Sequence, residues 1–225
     1  MRKINLNSLE HTIDPTDIKI FRLFPTPLPS IKIPQVASLN QALSKLILDK
    51  ASSIPSVKHS NIGGWQSADD FALWQEPEAQ SLLKFVTNFV NTITALKLEE
   101  NLVEADWQWR VNAWANVNYA GCSNAPHGHP SSFWSGVYWV DDGGRSENAD
   151  IGGEIELHDP RGFMPAMSSP LRFKIEGCLS AGYSEIIVPS SGTLLMFPSW
   201  LIHSVREFKG TRPRISISFN FANYI

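Results

Sequence analysis

The sequence is poor in everything that would hold a chain together without a core or tie it to a charged surface. It has two cysteines, Cys122 and Cys178, in 225 residues, too few for a disulfide framework, so both are expected as reduced thiols. It has no surplus of positive charge: 19 Lys and Arg against 22 Asp and Glu give a net charge of −3. The acids and bases are interspersed, so no basic stripe implies a nucleic-acid partner. No apolar run approaches the length of a membrane span, and the opening MRKINLNSLEHTID lacks the apolar stretch of a secretory signal. A cytoplasmic protein with no membrane association is the expectation. Internal repeats and low-complexity segments are also missing.

What is present is apolar and aromatic. At 43% hydrophobic with eight tryptophans, the chain can build its own core. Trp107, Trp109, Trp114, Trp134 and Trp139 fall close together in sequence, which reads first as core and lid packing and second as substrate stacking.

Residues 18–34 are extended and proline-punctuated, which suggests an edge strand and turns; an edge with unpaired backbone groups could support a homodimer. Val36, Leu39, Leu43, Leu46 and Ile47 recur at helical spacing up to Pro55, and Leu82, Leu83, Phe85, Val86, Phe89, Val90 and Ile93 mark a second helix over about 76–98. Ile62, Gly63, Gly64 and Trp65 between them read as a loop. After Asp106 the period becomes two. Trp107, Trp109, Val111, Ala113, Ala115 and Val117 alternate with Gln108, Arg110, Asn112, Trp114, Asn116 and Asn118, the pattern of a strand with two unlike faces. Further strands are predicted at 133–140, 153–158, 171–176, 184–188, 192–197, 201–206 and 213–221. The expected fold is mainly β with an α-helical layer: a jelly roll, or double-stranded β-helix, with N-terminal helices packed on the barrel. Residues 1–105 would be the supporting segment and 106–225 the barrel, together one structural unit.

His127 and His129 stand two apart in NAPHGHPSS; in an extended segment both imidazoles would project to one face, close enough to share a metal ion. His203, in GTLLMFPSWLIHSV, follows an apolar strand and a proline turn that carry a third imidazole back toward the core. Three neutral nitrogen ligands suit iron, zinc, copper or nickel and leave positions open for chemistry. His11 and His59 read as surface residues, and His158 as an occasional pocket residue.

The blocks HGHP, SGVYWV, FPSWLIHSV and RISISFN, in that order, make the segment from Tyr119 to Asn220 similar to the double-stranded β-helix of iron(II)/2-oxoglutarate-dependent oxygenases, most nearly the prolyl-hydroxylase-like branch and its bacterial members. The resemblance implies an enzyme using Fe(II), 2-oxoglutarate and O2, hydroxylating a small molecule or an amino-acid side chain with release of succinate and CO2. It places His127 and His203 as metal ligands and Arg214 as the partner of the cosubstrate's distal carboxylate, with Ser216 on the same strand face completing a carboxylate fork. It also proposes Tyr119 or Asn116 as a second cosubstrate contact; strand alternation puts the two on opposite faces.

The family's carboxylate ligand would stand two residues after the first histidine, where this chain has His129. Three readings stay open: a three-histidine site of His127, His129 and His203; a site with His129 outside the coordination sphere and water in its place; or an acid such as Asp141, Glu154, Glu156 or Asp159 completing the set. Arg110, Trp114, Trp134 and Tyr138 are candidates for the substrate side, with 141–150 and 161–170 as candidate covering loops. The rival functions are a cupin-like metal-binding barrel, acting as a three-histidine dioxygenase or isomerase without 2-oxoglutarate, and a non-catalytic binding module.

Overall fold

The computed structural model describes residues 16, 18–21, 23–98, 101–103, 107–162 and 184–223. The entry segment ends in β1 (Ser30–Lys32), followed by α1 (Ala37–Ser53), β2 (Asn61–Ile62), β3 (Trp65–Gln66) and α2 (Pro77–Thr92). A small hairpin of β4 (Leu96–Leu98) and β5 (Asn101–Val103) precedes β6 (Trp109–Asn118), β7 (Ser123–His127), β8 (Trp134–Asp141) and β9 (Ile155–His158). The described chain closes with β10 (Ser184–Ile187), β11 (Thr193–Pro198), β12 (His203–Val205) and β13 (Arg214–Asn223). The predicted strand at 171–176 lies outside the described residues.

The strands form two facing antiparallel sheets, β1-β11-β8-β13-β6-β3 and β10-β9-β12-β7-β2, the jelly-roll architecture expected from the sequence. β1 is an edge strand, as its prolines suggest, hydrogen-bonded on one side to β11. The segment around Gly63 and Gly64, expected as a loop, instead joins the sheets: β2 pairs with β7 in the smaller and β3 with β6 in the larger. α2 stops at Thr92, short of the expected Leu98. The β-branched run Thr92-Ile93-Thr94 disfavours another turn, and the Thr94 hydroxyl donates to the Val90 carbonyl at 2.6 Å.

The helices bury one stripe each, Leu43 and Ile47 from α1 and Ala79, Leu82, Val86 and Val90 from α2, against the outer face of the larger sheet. That face is built from alternate residues: Ala113, Ala115 and Val117 of β6, Trp134, Tyr138 and Val140 of β8, and Ile215, Ile217, Phe219 and Phe221 of β13. The opposite face looks into the barrel and is of two kinds. Val137 and Trp139 of β8 and Leu195 and Phe197 of β11 meet Ile155 and Leu157 of the smaller sheet in a second apolar cluster. Beside it, β6 and β13 turn inward Trp114, Asn116, Asn118, Arg214, Ser216 and Ser218, which line a cavity.

Gly136 sits in β8 opposite Met196 and Phe219, and a Cβ there would lie 2.6 Å from the Leu195 carbonyl oxygen as well as against the Met196 side chain. Strand backbone cannot yield as a side chain can, so Gly136→Ala is expected to destabilise the fold by about 1–3 kcal/mol. A urea midpoint unchanged from the parent would contradict that packing.

Candidate functional site

Antiparallel register creates the site. β12 pairs with β7 so that His203 lies directly opposite His127, and their ring centroids are 4.4 Å apart. His129 lies just past the end of β7, where its N–H donates to the Ser199 carbonyl at 2.9 Å. This bond ties it to the Pro198-Ser199-Trp200 turn that leads into β12. The third ring comes within 5.0 Å of His127 and 5.2 Å of His203, and one nitrogen of each residue lies within 4.8 Å of those of the other two. Together these can hold one metal ion.

The tautomers favour that use. His127 Nδ1–H donates to the Ala125 carbonyl at 2.7 Å, and His203 Nδ1–H to the Leu201 carbonyl at 2.9 Å. A carbonyl only accepts, so in the neutral ring Nε2 carries the lone pair. Such backbone partners orient metal-ligating imidazoles and raise their basicity. Burial lowers all three pKa values: His203 to about 3, His129 to about 4, and His127 downward although the Ala125 carbonyl opposes it. All three rings are neutral at pH 7.

Eleven residues past His203, Arg214 opens β13 on the same inner face and is 2% exposed. Its Nη1 donates to Asn118 Oδ1 at 3.3 Å, while Nε has no partner among the described residues. Burial lowers the guanidinium to about 10, with Glu154 and Asp142 opposing the shift, so it stays charged at pH 7. A buried cation with an unused donor is an anion site in want of an anion. The expected covering loop at 141–150 serves this residue instead. Glu154 is paired with Arg145 at 2.7 Å behind the guanidinium, and Gly153, at φ +81, leaves no side chain where a Cβ would stand 3.1 Å from Arg214 Cδ.

Arg214, Ser216, Asn116, Trp114 and the three histidines line one chamber of about 50 Å³. A wider cavity of about 380 Å³ continues from it, lined by His59, Ser60, Gln66, Asp69, Trp114, His127, Gly128, His129 and Asn220. The structure thus brings together His127, His129, His203, Arg214, Ser216, Asn116 and Trp114. It does not bring in four others. Tyr119 lies one residue past β6 and is 51% exposed, outside both cavities. Trp134 and Tyr138 face the helices, where Trp134 Nε1 donates to Thr94 at 3.0 Å and the Tyr138 hydroxyl to Asn40 at 2.6 Å. Arg110 shares the Trp114 face but is exposed near the far end of β6 and lines neither cavity.

The acids offered as alternative ligands all point elsewhere. Asp141 accepts from the Gly143 N–H, and Glu154, Glu156 and Asp159 pair with Arg145, Arg206 and Arg161. Sequence reasoning missed Gln66, Asp69, Asn118, Ser218 and Asn220; His59, expected at the surface, is exposed and stands at the outer cavity. Strand parity with Asn116 and Ser216 carries the signal for Asn118, Ser218 and Asn220.

Residues 112–220 match the family model described as "Putative 2OG-Fe(II) oxygenase". The matched residues, just under half of the chain, are similar to those of 2OG-Fe(II) oxygenases. The matched family comprises enzymes that use iron(II) and 2-oxoglutarate. No curated protein matches this chain. Among solved structures it is similar in fold to a prolyl-4-hydroxylase of Pseudomonas putida (16% identity, TM-score 0.60, covering 88% of this chain and 93% of that one). It also resembles a prolyl hydroxylase of Trichoplax adhaerens in complex with a hypoxia inducible factor peptide fragment (14%, TM-score 0.58, 87% and 83%). A third is HygX of Streptomyces hygroscopicus with nickel and 2-oxoglutarate bound (9%, TM-score 0.55, 88% and 83%). Among the described residues of the chain, no helix is long and apolar enough to cross a membrane.

The depressed imidazole pKa values have a consequence for stability. The unfolded chain takes up protons near the ordinary imidazole value of 6.5, the folded chain only near 4 and 3 at His129 and His203. Metal-free stability is therefore full above pH 6.5 and falls as pH drops toward those values, by at most about 1.4 kcal/mol per group and pH unit. Urea midpoints of the metal-free protein should be lower at pH 5 than at pH 7.5, and the drop should shrink in His129→Gln. Equal midpoints at both pH values would contradict neutral burial of these rings.

Proposed function

We propose that the chain is an iron(II)/2-oxoglutarate-dependent hydroxylase in which His127, His129 and His203 hold the metal and Arg214 with Ser216 anchors the distal carboxylate of 2-oxoglutarate. The observation that carries this reading is one chamber with two complementary binding elements: three converging imidazole nitrogens, and a buried guanidinium whose Nε has no partner among the described residues. A barrel that worked without the cosubstrate would have no use for an uncompensated buried cation facing its metal site. The reading therefore ranks above the cupin-like alternative.

Bound together, iron(II) and 2-oxoglutarate supply oxygen activation coupled to decarboxylation, giving succinate, CO2 and a hydroxylated substrate. The chain's residues do the positioning. Backbone carbonyls of Ala125 and Leu201 fix the His127 and His203 rings, and the Ser60 hydroxyl is 3.3 Å from His127 Nε2. Phe197 packs edge-on against His203 at 4.7 Å, so the apolar cluster walls the chamber on one side and limits water there. Asn118, bonded to Arg214, orients the guanidinium toward the chamber.

No carboxylate lines the inner chamber among the described residues. Three neutral ligands leave the metal's full double positive charge in place, and Arg214 adds another. That field favours a dianionic cosubstrate over a neutral one. The substrate proposed is a small molecule or an amino-acid side chain, admitted through the outer cavity, whose size suits a compact group.

Anaerobic titration with Fe(II) and 2-oxoglutarate, followed by succinate measurement under air, tests the assignment. A charge-transfer band should appear in the parent and need about 10- to 100-fold more 2-oxoglutarate in Arg214→Met, the loss expected for a charge-assisted hydrogen bond. Folding of that variant should be preserved, since it removes an unpaired buried charge and keeps volume. Oxygen consumption with Fe(II) that is indifferent to 2-oxoglutarate would overturn the reading in favour of the cosubstrate-free barrel.

A further inference from the structure

The outer cavity carries a charge pattern that the metal chemistry does not require. We propose that it receives an alkylammonium group of the substrate, with Asp69 as the counter-charge and the Trp114 indole as the stacking face. This rests on the hydroxylase reading only in taking the outer cavity as the substrate's route to the metal.

Backbone pairing fixes Asp69 in place. Ser67 N–H donates to the Ala115 carbonyl at 3.0 Å, the Ala115 N–H donates to Ser67 Oγ at 3.1 Å, and Asp70 pairs with Ala113 in a parallel bridge. These contacts flank Trp114 on β6, so Asp69 is set alongside the indole. Its neighbour Asp70 is committed, accepting from Trp74 Nε1 at 3.1 Å. Asp69 makes no hydrogen bond or ion pair with any described residue, and it is the carboxylate lining either cavity among the described residues.

Two neutral amides complete the recognition surface. Gln66 is buried in β3 and lines the outer cavity. Its carboxamide offers both a donor and an acceptor there. Asn220 accepts the Ser135 hydroxyl on Oδ1 at 2.7 Å, which leaves Nδ2 as its remaining donor toward the cavity. The indole of Trp114 lines both cavities and meets His129 at 5.8 Å between ring centroids.

The two ends of the combined cavity are thus opposite in sign. Arg214 and a divalent ion make the inner end positive, and Asp69 makes the outer end negative. An alkylammonium is repelled from the first and held at the second, where an aromatic face adds cation–π attraction. Its hydrocarbon stem then points inward, past Trp114 toward the histidines. A carboxylate or phosphate in the same place would face Asp69 unpaired, so the pattern selects against anionic substrates at this position.

Calorimetric titration of the metal-free full chain at low ionic strength tests this without relying on turnover. The probes are pentylamine, its neutral isostere pentanol, and a lysine capped at both backbone ends. Pentylamine should bind while pentanol gives no saturable heat. Asp69→Asn should weaken pentylamine by about tenfold, as expected for losing a close charge at a partly exposed site, and Trp114→Leu by about fivefold. Asp69 is exposed, so its variant keeps the fold. Capped lysine binding as well as pentylamine supports the proposal with a peptide side chain as the source; pentylamine binding alone supports it with a free amine. Pentanol binding as tightly as pentylamine, or an unchanged pentylamine affinity in Asp69→Asn, overturns it. Succinate formation with Fe(II) and 2-oxoglutarate reports on the hydroxylase reading separately, so the two can fail independently.

Discussion

The register between β7 and β12 is the constraint on which the candidate site depends. It sets His127 and His203 directly across from each other, in the smaller sheet and at a ring separation of 4.4 Å. A slip of one residue would turn either imidazole to the opposite face, and no side-chain adjustment could restore the pair. That register is held from both sides, by β9 against β12 and by β2 against β7. It is also held from the loop, where His129 is bonded to the Ser199 carbonyl. The turn before β12 therefore positions two of the three rings, one through its backbone oxygen and one through the strand that follows.

The barrel interior is divided because a metal chamber cannot be dry everywhere. The half formed by β8, β9 and β11 is filled with Val137, Trp139, Ile155, Leu157, Leu195 and Phe197, which gives the sheets a reason to close. The half formed by β6 and β13 is polar and lines the cavities, which gives it groups to bind with. Arg214 sits at the boundary, and desolvation there is offset partly by Glu154 and Asp142. A bound dianion would complete what these more distant acids begin.

Legibility from the sequence followed the contrast between strand faces. β6 and β13 each have one apolar and one polar face, so alternation alone separated Ala113, Ala115 and Val117 from Trp114 and Asn116, and paired Arg214 with Ser216. β8 reads WSGVYWVD and is buried on both faces over seven of its eight residues. A strand covered on both sides is apolar throughout, so parity could be seen without knowing which parity faced the helices. Trp134 and Tyr138 were assigned to the wrong side for that reason. Tyr119 was drawn in by motif likeness but lies beyond the end of its strand. Gln66 and Asp69 left no trace, since they belong to the two-residue β3 and the turn after it, far upstream of β6, and are placed by backbone bonds that no periodicity reports.

β13 carries a consequence for how such a protein can change. Its odd positions, Ile215, Ile217, Phe219 and Phe221, lie under the helices, while its even positions, Arg214, Ser216, Ser218 and Asn220, line the cavities. Adjacent codons of one strand therefore answer to different selective pressures, the first set to endurance of the fold and the second to choice of molecule. A lineage could rewrite the even set one residue at a time and explore new substrates while the scaffold kept its melting point. The decoration of the barrel is in this sense heritable separately from the barrel.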